Sequence, residues 1–323
     1  MRKLFAPAFL LAVLAAGYAF FQRFEIEGLE NLVVTPRAPA SGTSDVLPAE
    51  RESESIRIAT WNIQVFGQSK LAQPGVMEII VDVARRFDVL AIQEVRSKQQ
   101  DVLPRLVEMI NADGSHYDYV IGERLGRTSS KEQYAYVYDA ASVEVDRATL
   151  YTIGDPNDQL HREPLVASFR VRGPPVEQAF TFTLVNIHTD PDEVKYEVDA
   201  LDDVMRAVRD DGRGEDDILM LGDLNADERS LGELGRLPDL AAVVVGEPTN
   251  TRRTKTYDNI LYFQRATTEF TGYRGVLDLE REYQLTLDQA LEVSDHLPVW
   301  AAFSIYEGGQ VGRVAAQPER PAR

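Results

Sequence analysis

Short apolar runs, each cut off by charge or by Gly, Asn, Asp and Pro, recur from Ile56 to Phe303. Runs of this length, rich in Val, Ile, Leu and Phe, suit buried strands better than helices. They predict strands over 56–63, 89–93, 134–138, 165–171, 179–187, 218–221, 259–263 and 297–303. Helical spacing intervenes. Val194, Val198, Leu201, Met205 and Val208 step by four, three, four and three, with Asp190 and Pro191 ahead of them and Arg206 and Arg209 at the far end. Helices are also expected over 76–87 and 98–110. The two halves echo each other: Thr60-Trp61-Asn62-Ile63 resembles Val185-Asn186-Ile187-His188, and Asp88 to Glu94 resembles Asp217 to Asp223. The pattern predicts one α/β (α+β) domain over 56–305, a duplicated sandwich with its polar residues gathered at one rim.

Those residues are the ones that end strands. Asn62 ends the first strand and Glu94 the second, and His188 ends the 179–187 run. Gly222-Asp223-Leu224-Asn225-Ala226-Asp227 follows the buried Ile218-Leu219-Met220-Leu221. Asp258 precedes one strand, and Ser294-Asp295-His296 precedes the last. Singly, each has an ordinary use: Asp and Asn cap turns, and Glu94 can pair with Arg96. Together they place carboxylates, amides and imidazoles on loops held by rigid strands, where sites are built. The Asp-x-Asn-x-Asp beginning at Asp223 is not a calcium-binding EF-hand loop, because its sixth position is Glu228 and its twelfth is Leu234.

Composition narrows the chemistry. The 323 residues hold no cysteine, which excludes disulfides, thiolate nucleophiles and cysteine-bound zinc. Histidine occurs four times, at 116, 161, 188 and 296. The net charge of −18 argues against a polyanionic partner, but between 190 and 217 alone there are 12 acidic and 4 basic residues, a net of −8. Such a face is screened from a distant site beyond about 10 Å at ~0.1 M salt. Met1-Arg2-Lys3 followed by an uncharged run from Leu4 to Phe21 marks residues 1–24 as an export signal or a membrane anchor. Pro, Ser and Gly make 25–55 a linker, and 306–323 is expected to be a disordered tail.

The ordered set Asn62, Gln93-Glu94, His188, Gly222-Asp223-Leu224-Asn225 and Ser294-Asp295-His296-Leu297-Pro298 resembles the endonuclease/exonuclease/phosphatase superfamily. Gln93-Glu94-Val95-Arg96, Lys131-Glu132-Gln133-Tyr134, Arg162-Glu163-Pro164 and Tyr257-Asp258 are similar to its deoxyribonuclease I branch. The resemblance spans about 56–303. It implies a four-layer α/β/β/α sandwich with internal pseudo-twofold symmetry, and metal-dependent phosphodiester hydrolysis, foremost a low-specificity DNA endonuclease. It further implies Mg²⁺ (or Mn²⁺) held by Glu94, Asn62, Asp223 and Asp295. His188 and His296 would be the general acid and base, oriented by Glu132 and Asp258, with Asn225 on the phosphate. Arg96, Arg162, Arg127 and Thr128 would contact DNA, beside Arg124 and Lys131. Arg252, Arg253 and Lys255 form a second basic group. The chain is expected to be exported, extracytoplasmic and monomeric, with a membrane as partner only if the first segment stays uncleaved.

Departures from the family pattern carry their own expectations. Ser130 stands where the family has a sugar-stacking Tyr, and Thr128 where it has an Asn. Glu228 and Lys255 occupy the positions of the main disulfide and are expected to form a salt bridge instead. Asp155 and Asp158, in a shortened loop, are candidates for a structural Ca²⁺ site, as are Glu247, Thr249 and Thr251. Two other readings stay open: a phosphodiesterase or phosphatase of lipid headgroups or small phosphoesters, and a non-catalytic binding protein on the same fold.

Overall fold

A computed structural model describes residues 54–127 and 131–309. Its strands are β1 (Ser55–Phe66), β2 (Val89–Val95), β3 (Tyr117–Ile121), β4 (Gln133–Asp139), β5 (Val143–Thr152), β6 (Leu165–Val171), β7 (Thr181–His188), β8 (Ile218–Asp223), β9 (Leu240–Ala242), β10 (Asp258–Phe263), β11 (Phe270–Val276) and β12 (Val299–Ser304). Its helices are α1 (Gln68–Leu71), α2 (Pro74–Arg85), α3 (Val102–Ile110), α4 (Val194–Arg209), α5 (Leu279–Tyr283) and α6 (Leu287–Val293). Local chemistry marks several starts: Pro74 occupies the first turn of α2, and Thr286 with Gln289 closes a capping box on α6.

Two six-stranded sheets face each other, in the orders β11-β12-β1-β2-β4-β3 and β5-β6-β7-β8-β10-β9. Each has one parallel pair at its centre, β1 with β2 and β7 with β8, and antiparallel neighbours elsewhere. Rotating one order onto the other superposes like on like, so the internal echo is a pseudo-twofold of the sandwich. Period-2 alternation builds the layers. Leu219 and Leu221 of β8, with Phe182 and Leu184 of β7, join the core that also holds β1, β2, α2 and α3. Their neighbours Ile218, Met220, Val185 and Ile187 turn the other way and bury Val198, Leu201, Met205 and Val208 of α4. Strands buried on both faces require helices outside both sheets, which gives the four layers α/β/β/α. Each such side chain contributes about 1.5–3 kcal/mol on burial.

The carboxyl ends of β1, β2, β7 and β8 lie at one rim, which is where Asn62, Glu94, His188 and Asp223 emerge. The expected domain end at 305 moves outward: Tyr306 pairs with Ala179, and Glu307–Gly309 forms a helical turn whose glutamate accepts from Thr181 N at 3.3 Å. Residues 1–24, expected to be an export signal or anchor, residues 25–53 of the expected linker and the expected tail from 310 lie outside the described residues. Among the described residues no helix is long and apolar enough to cross a membrane.

Candidate active site

Two histidine–carboxylate pairs converge on one oxygen. His188 closes β7, and its Nδ1 lies 2.7 Å from Glu132 Oε1. His296 follows α6, and its Nδ1 lies 2.9 Å from Asp258 Oδ2. A carboxylate against Nδ1 places the ring proton there and leaves Nε2 as the working nitrogen. Both Nε2 atoms stand 3.5 Å from Asp223 Oδ2. All five side chains are buried.

Supporting contacts fix each ring. His188 N donates to Tyr134 Oη at 2.8 Å, and Arg162 donates to His188 O at 3.0 Å while its Nε approaches Glu132 Oε1 to 2.6 Å. His296 N donates to Ser294 Oγ, Ser294 Oγ donates to Asn62 O, and Trp61 Nε1 donates to His296 O. Thr249 Oγ1 donates to Asp258 Oδ2 at 2.8 Å.

Electrostatics follow from these contacts. Burial pulls the His188 imidazolium down, but the Glu132 charge and hydrogen bond, with Asp223, outweigh it and raise its pKa. His296 rises further: burial opposes, while Asp258, Asp223 and Asp295 hold the proton on the ring. Burial raises Glu132, yet His188, Arg162 and Arg96 together bring it below the usual carboxylate range.

The acidic residues form a connected line. Asn62 Nδ2 donates to Asp223 Oδ2 at 3.0 Å and to Glu94 Oε1 at 3.3 Å, so one amide bridges two carboxylates. Asn62 Oδ1 meanwhile accepts from Gln64 N. Glu94 adopts φ 61°, a left-handed conformation unusual for a side chain of this size, and its Oε2 accepts from Val65 N at 2.8 Å. Asp295 Oδ1 is buried without a hydrogen-bond partner. Crowded carboxylates beside an orphaned buried carboxylate oxygen suit a hard divalent cation, and Glu94, Asp223 and Asp295 are the residues able to hold it. Asn62, with its amide nitrogen on the carboxylates, stands here as their spacer rather than as an oxygen donor. Asn225 sits at φ 47° and donates from Nδ2 to Thr189 O at 3.0 Å, beside Asp223, whose Oδ1 accepts from Asn225 N. Gly222 makes that turn possible: a Cβ there would stand 1.9 Å from Ile187 O at φ 147°. Asp227 caps the turn that follows.

The cations expected on DNA have other partners. Arg96 spans Glu94 Oε2 at 3.0 Å and Glu132 Oε2 at 3.2 Å. Arg162 is 9% exposed and turned inward onto Glu132. Arg127 holds Asp158, Glu193 and Leu160 O. Arg253 pairs with Asp278. Lys131, Arg252 and Lys255 are exposed. Thr128 and Ser130 lie outside the described residues.

Three expectations are corrected. Asp155 Oδ2 accepts from Leu160 N and Asp158 Oδ1 faces Arg127, so this pair closes a turn and does not converge as a calcium site. Thr249 Oγ1 donates to Asp258 Oδ2 and accepts from Tyr257 N and Asp258 N, which uses both of its lone pairs and removes its hydroxyl as a ligand, while Thr251 Oγ1 donates to Ser294 O. Among the described residues no Glu228–Lys255 bridge forms, because Glu228 lies against Arg229 at 3.5 Å.

Lys70 was not foreseen. Its Nζ is buried, donates to Ile63 O at 3.1 Å and Val293 O at 2.5 Å, and so ties β1 to the end of α6 just before Asp295. Burial lowers its pKa to about 8, although Asp295 and Glu94 pull it upward. Gln93, which the sequence motif included without a role, donates to Asn186 Oδ1 at 2.6 Å between the sheets, and Asn186 was likewise not foreseen. In the internal echo Asn186 stands opposite Trp61 and not Asn62, so no local signal pointed to it.

Comparison with known proteins gives the family. The model of the endonuclease/exonuclease/phosphatase family matches residues 59–296. The chain is 33% identical to deoxyribonuclease gamma of Rattus norvegicus over 263 residues, covering 76% of this chain and 83% of that protein. It is also 33% identical to deoxyribonuclease-1 of the same species, covering 76% and 90%. Among solved structures, the human Nocturnin catalytic domain with bound sulfate superposes with a TM-score of 0.56 at 16% identity, covering 84% of this chain and 100% of that one, a likeness of fold. The chain is therefore a member of the endonuclease/exonuclease/phosphatase family, in its deoxyribonuclease I branch, and a hydrolase of phosphate esters.

Proposed function

We propose that the protein is a divalent-metal-dependent DNA endonuclease of low sequence specificity. The observation that carries this reading is the pair of histidines whose Nε2 atoms both stand 3.5 Å from one carboxylate oxygen, each with its Nδ1 on a buried acid. Hydrolysis needs a base to take a proton from water and an acid to give one to the leaving oxygen. Two imidazoles around one point supply both, provided one is neutral when the other is charged. Glu132 and Asp258 keep both rings in the useful tautomer and support the charged state. A Mg²⁺ ion on Glu94, Asp223 and Asp295 would offset the charge that builds on the phosphate. Asn225, released from Thr189 O, would donate to a non-bridging oxygen.

Backbone contact falls to Lys131 on the Glu132 side and to Arg252 and Lys255 on the Asp258 side, since Arg96 and Arg162 are engaged with the acids. No base-reading element enters this account, which is why specificity is low. The basic start and apolar run at the N-terminus support export to an extracytoplasmic location, either anchored or cleaved; fractionation of cells expressing the chain, with N-terminal sequencing of the product, decides which.

The test is supercoiled plasmid with Mg²⁺, using wild type, EDTA, Asp223→Ala, His188→Ala and His296→Ala. We expect nicking in wild type alone, with each variant reduced by at least about 10²-fold. Metal-independent nicking, or hydrolysis of a lipid phosphodiester with plasmid left intact, would reverse the assignment.

A further inference from the structure

The rim opposite the active site carries a second convergence of acids. Asp217 precedes β8, Glu269 precedes β11 and Glu307 follows β12, so three distant segments meet there. One carboxylate oxygen of each lies within 4.8 Å of the others. Asp217 is 1% exposed and Glu269 2%. Among the described residues no Lys, Arg or His forms an ion pair with any of these three, nor with the adjacent Glu215 and Asp216. Arg213, which feels Glu215 at longer range, is paired with Asp211.

The backbone pins this arrangement from outside. Gly308 N donates to Glu269 Oε1 at 2.5 Å, Thr181 N to Glu307 Oε2 at 3.3 Å, and Asp217 N to Glu215 Oε1 at 2.9 Å. Two carboxylate oxygens, Asp217 Oδ1 and Glu269 Oε2, are buried and meet no donor, and the hydroxyl of Thr267, 2% exposed, lies against Asp217. Leaving such atoms unpaired costs about 1–3 kcal/mol each, more for charged ones. A proton held between Asp217 and Glu269 would satisfy the same two oxygens, and the calcium dependence tested below separates the two arrangements.

We propose that Asp217, Glu269, Glu307 and Thr267 form a structural site for a divalent cation of the calcium class. Carboxylates and a hydroxyl in irregular geometry suit Ca²⁺, which takes six to eight oxygens, better than Mg²⁺, which demands a regular octahedron. Glu307 and Glu215 are partly exposed, so the site opens to solvent on their side. The site's place explains its use. Asp217 belongs to the β7–β8 sheet, whereas Glu269 and Glu307 extend the β11–β12 edge of the other, so a bound ion would staple the two sheets at the end far from catalysis. Burial and the Glu269 charge push Asp217 up to about 10, and burial pushes Glu307 up to about 7, as expected of acids crowded without a counter-ion.

Thermal unfolding of the full chain, with equilibrium dialysis of calcium, tests this in wild type, Glu94→Gln, Asp217→Asn and Glu269→Gln. In wild type and Glu94→Gln, calcium at a hundredfold excess over Kd should raise Tm by about 5 °C or more over EDTA. Asp217→Asn and Glu269→Gln should lose that rise and one equivalent of bound calcium. At pH 8 in EDTA, Asp217→Asn should melt above wild type, because it removes an acid that must take up a proton to be buried. A calcium-dependent rise that persists in both rear variants, or no rise in wild type, would overturn the site. The readout is independent of nuclease activity.

Discussion

Asp223 is the residue on which the front rim turns. Its Oδ2 receives Asn62 Nδ2 and stands 3.5 Å from the imidazoles of both His188 and His296. Each histidine is in turn governed by its own acid, so the two titrations can be moved separately. Activity that requires one neutral and one charged imidazole is bell-shaped in pH, with both limbs displaced above the ordinary histidine value of about 6.5. Glu132→Gln removes the largest influence raising His188 and should move one limb toward lower pH; Asp258→Asn should move the other. A pH–kcat/KM profile in which both substitutions shift the same limb would refute the pairing. Stability follows the same contacts, with a definite sign. His188 is raised, so its contribution is full below about 6.5 and is lost as pH climbs through its folded value. Glu132 is lowered, so its contribution is full above about 4.3 and is lost as pH falls through its folded value. The pair therefore stabilises most between those limits.

At the scale of elements, burial decides what a sequence reveals. The eight strands readable from apolar runs are the interior strands of the two sheets, where both faces are covered. The four that escaped are β11, β3, β5 and β9, the four edges. Edge strands carry charge and turn residues, as in Glu144, Asp146 and Arg147 of β5 or Gly272 and Gly275 of β11, so their pattern resembles a loop. The candidate site was legible because its residues sit at the ends of interior strands. Lys70 was not, because a lysine after a strand reads as solvated until its burial is seen. The rear cluster was hidden for a different reason: Asp217, Glu269 and Glu307 are far apart in sequence and no local pattern joins them. Lys70 clamps β1 to the loop before Asp295, so Lys70→Met leaves two buried carbonyls unpaired. It should lower stability by about 1–3 kcal/mol and weaken Mg²⁺ dependence more than DNA affinity. Chemical denaturation and a metal titration of nicking measure the two effects. Gly222→Ala is the harsher change, since its methyl would overlap Ile187 O; circular dichroism and nicking should both show loss.

Over the whole molecule, the net charge of −18 and a polyanionic substrate are reconciled by distance. The 190–217 segment holds a net of −8: −3 precedes α4 beside the active rim (Asp190, Asp192, Glu193), −1 lies on α4 itself, and −4 follows over 210–217, which the helix's 16 residues carry about 24 Å from that rim toward the rear. At ~0.15 M salt the screening length is about 8 Å, so DNA bound at the rim as proposed would meet Lys131, Arg252 and Lys255 and hardly feel the end of α4. At ~0.01 M salt that length grows to about 30 Å, and the far acids reach the substrate. Replacing the exposed Asp203 and Asp210 by Asn should therefore speed DNA association at the lower salt and leave it unchanged at the higher, with kcat constant in both. Stopped-flow association at the two ionic strengths checks this, and an equal acceleration at both would mean that these acids act through local structure. Replacing Lys131 or Lys255 by Gln should do the reverse, lowering affinity at physiological salt and reducing the slope of log K against log salt by about one for each lost phosphate contact. Opposite responses of the two charge sets would locate the DNA path on the rim between the two basic groups, directly over Asp223.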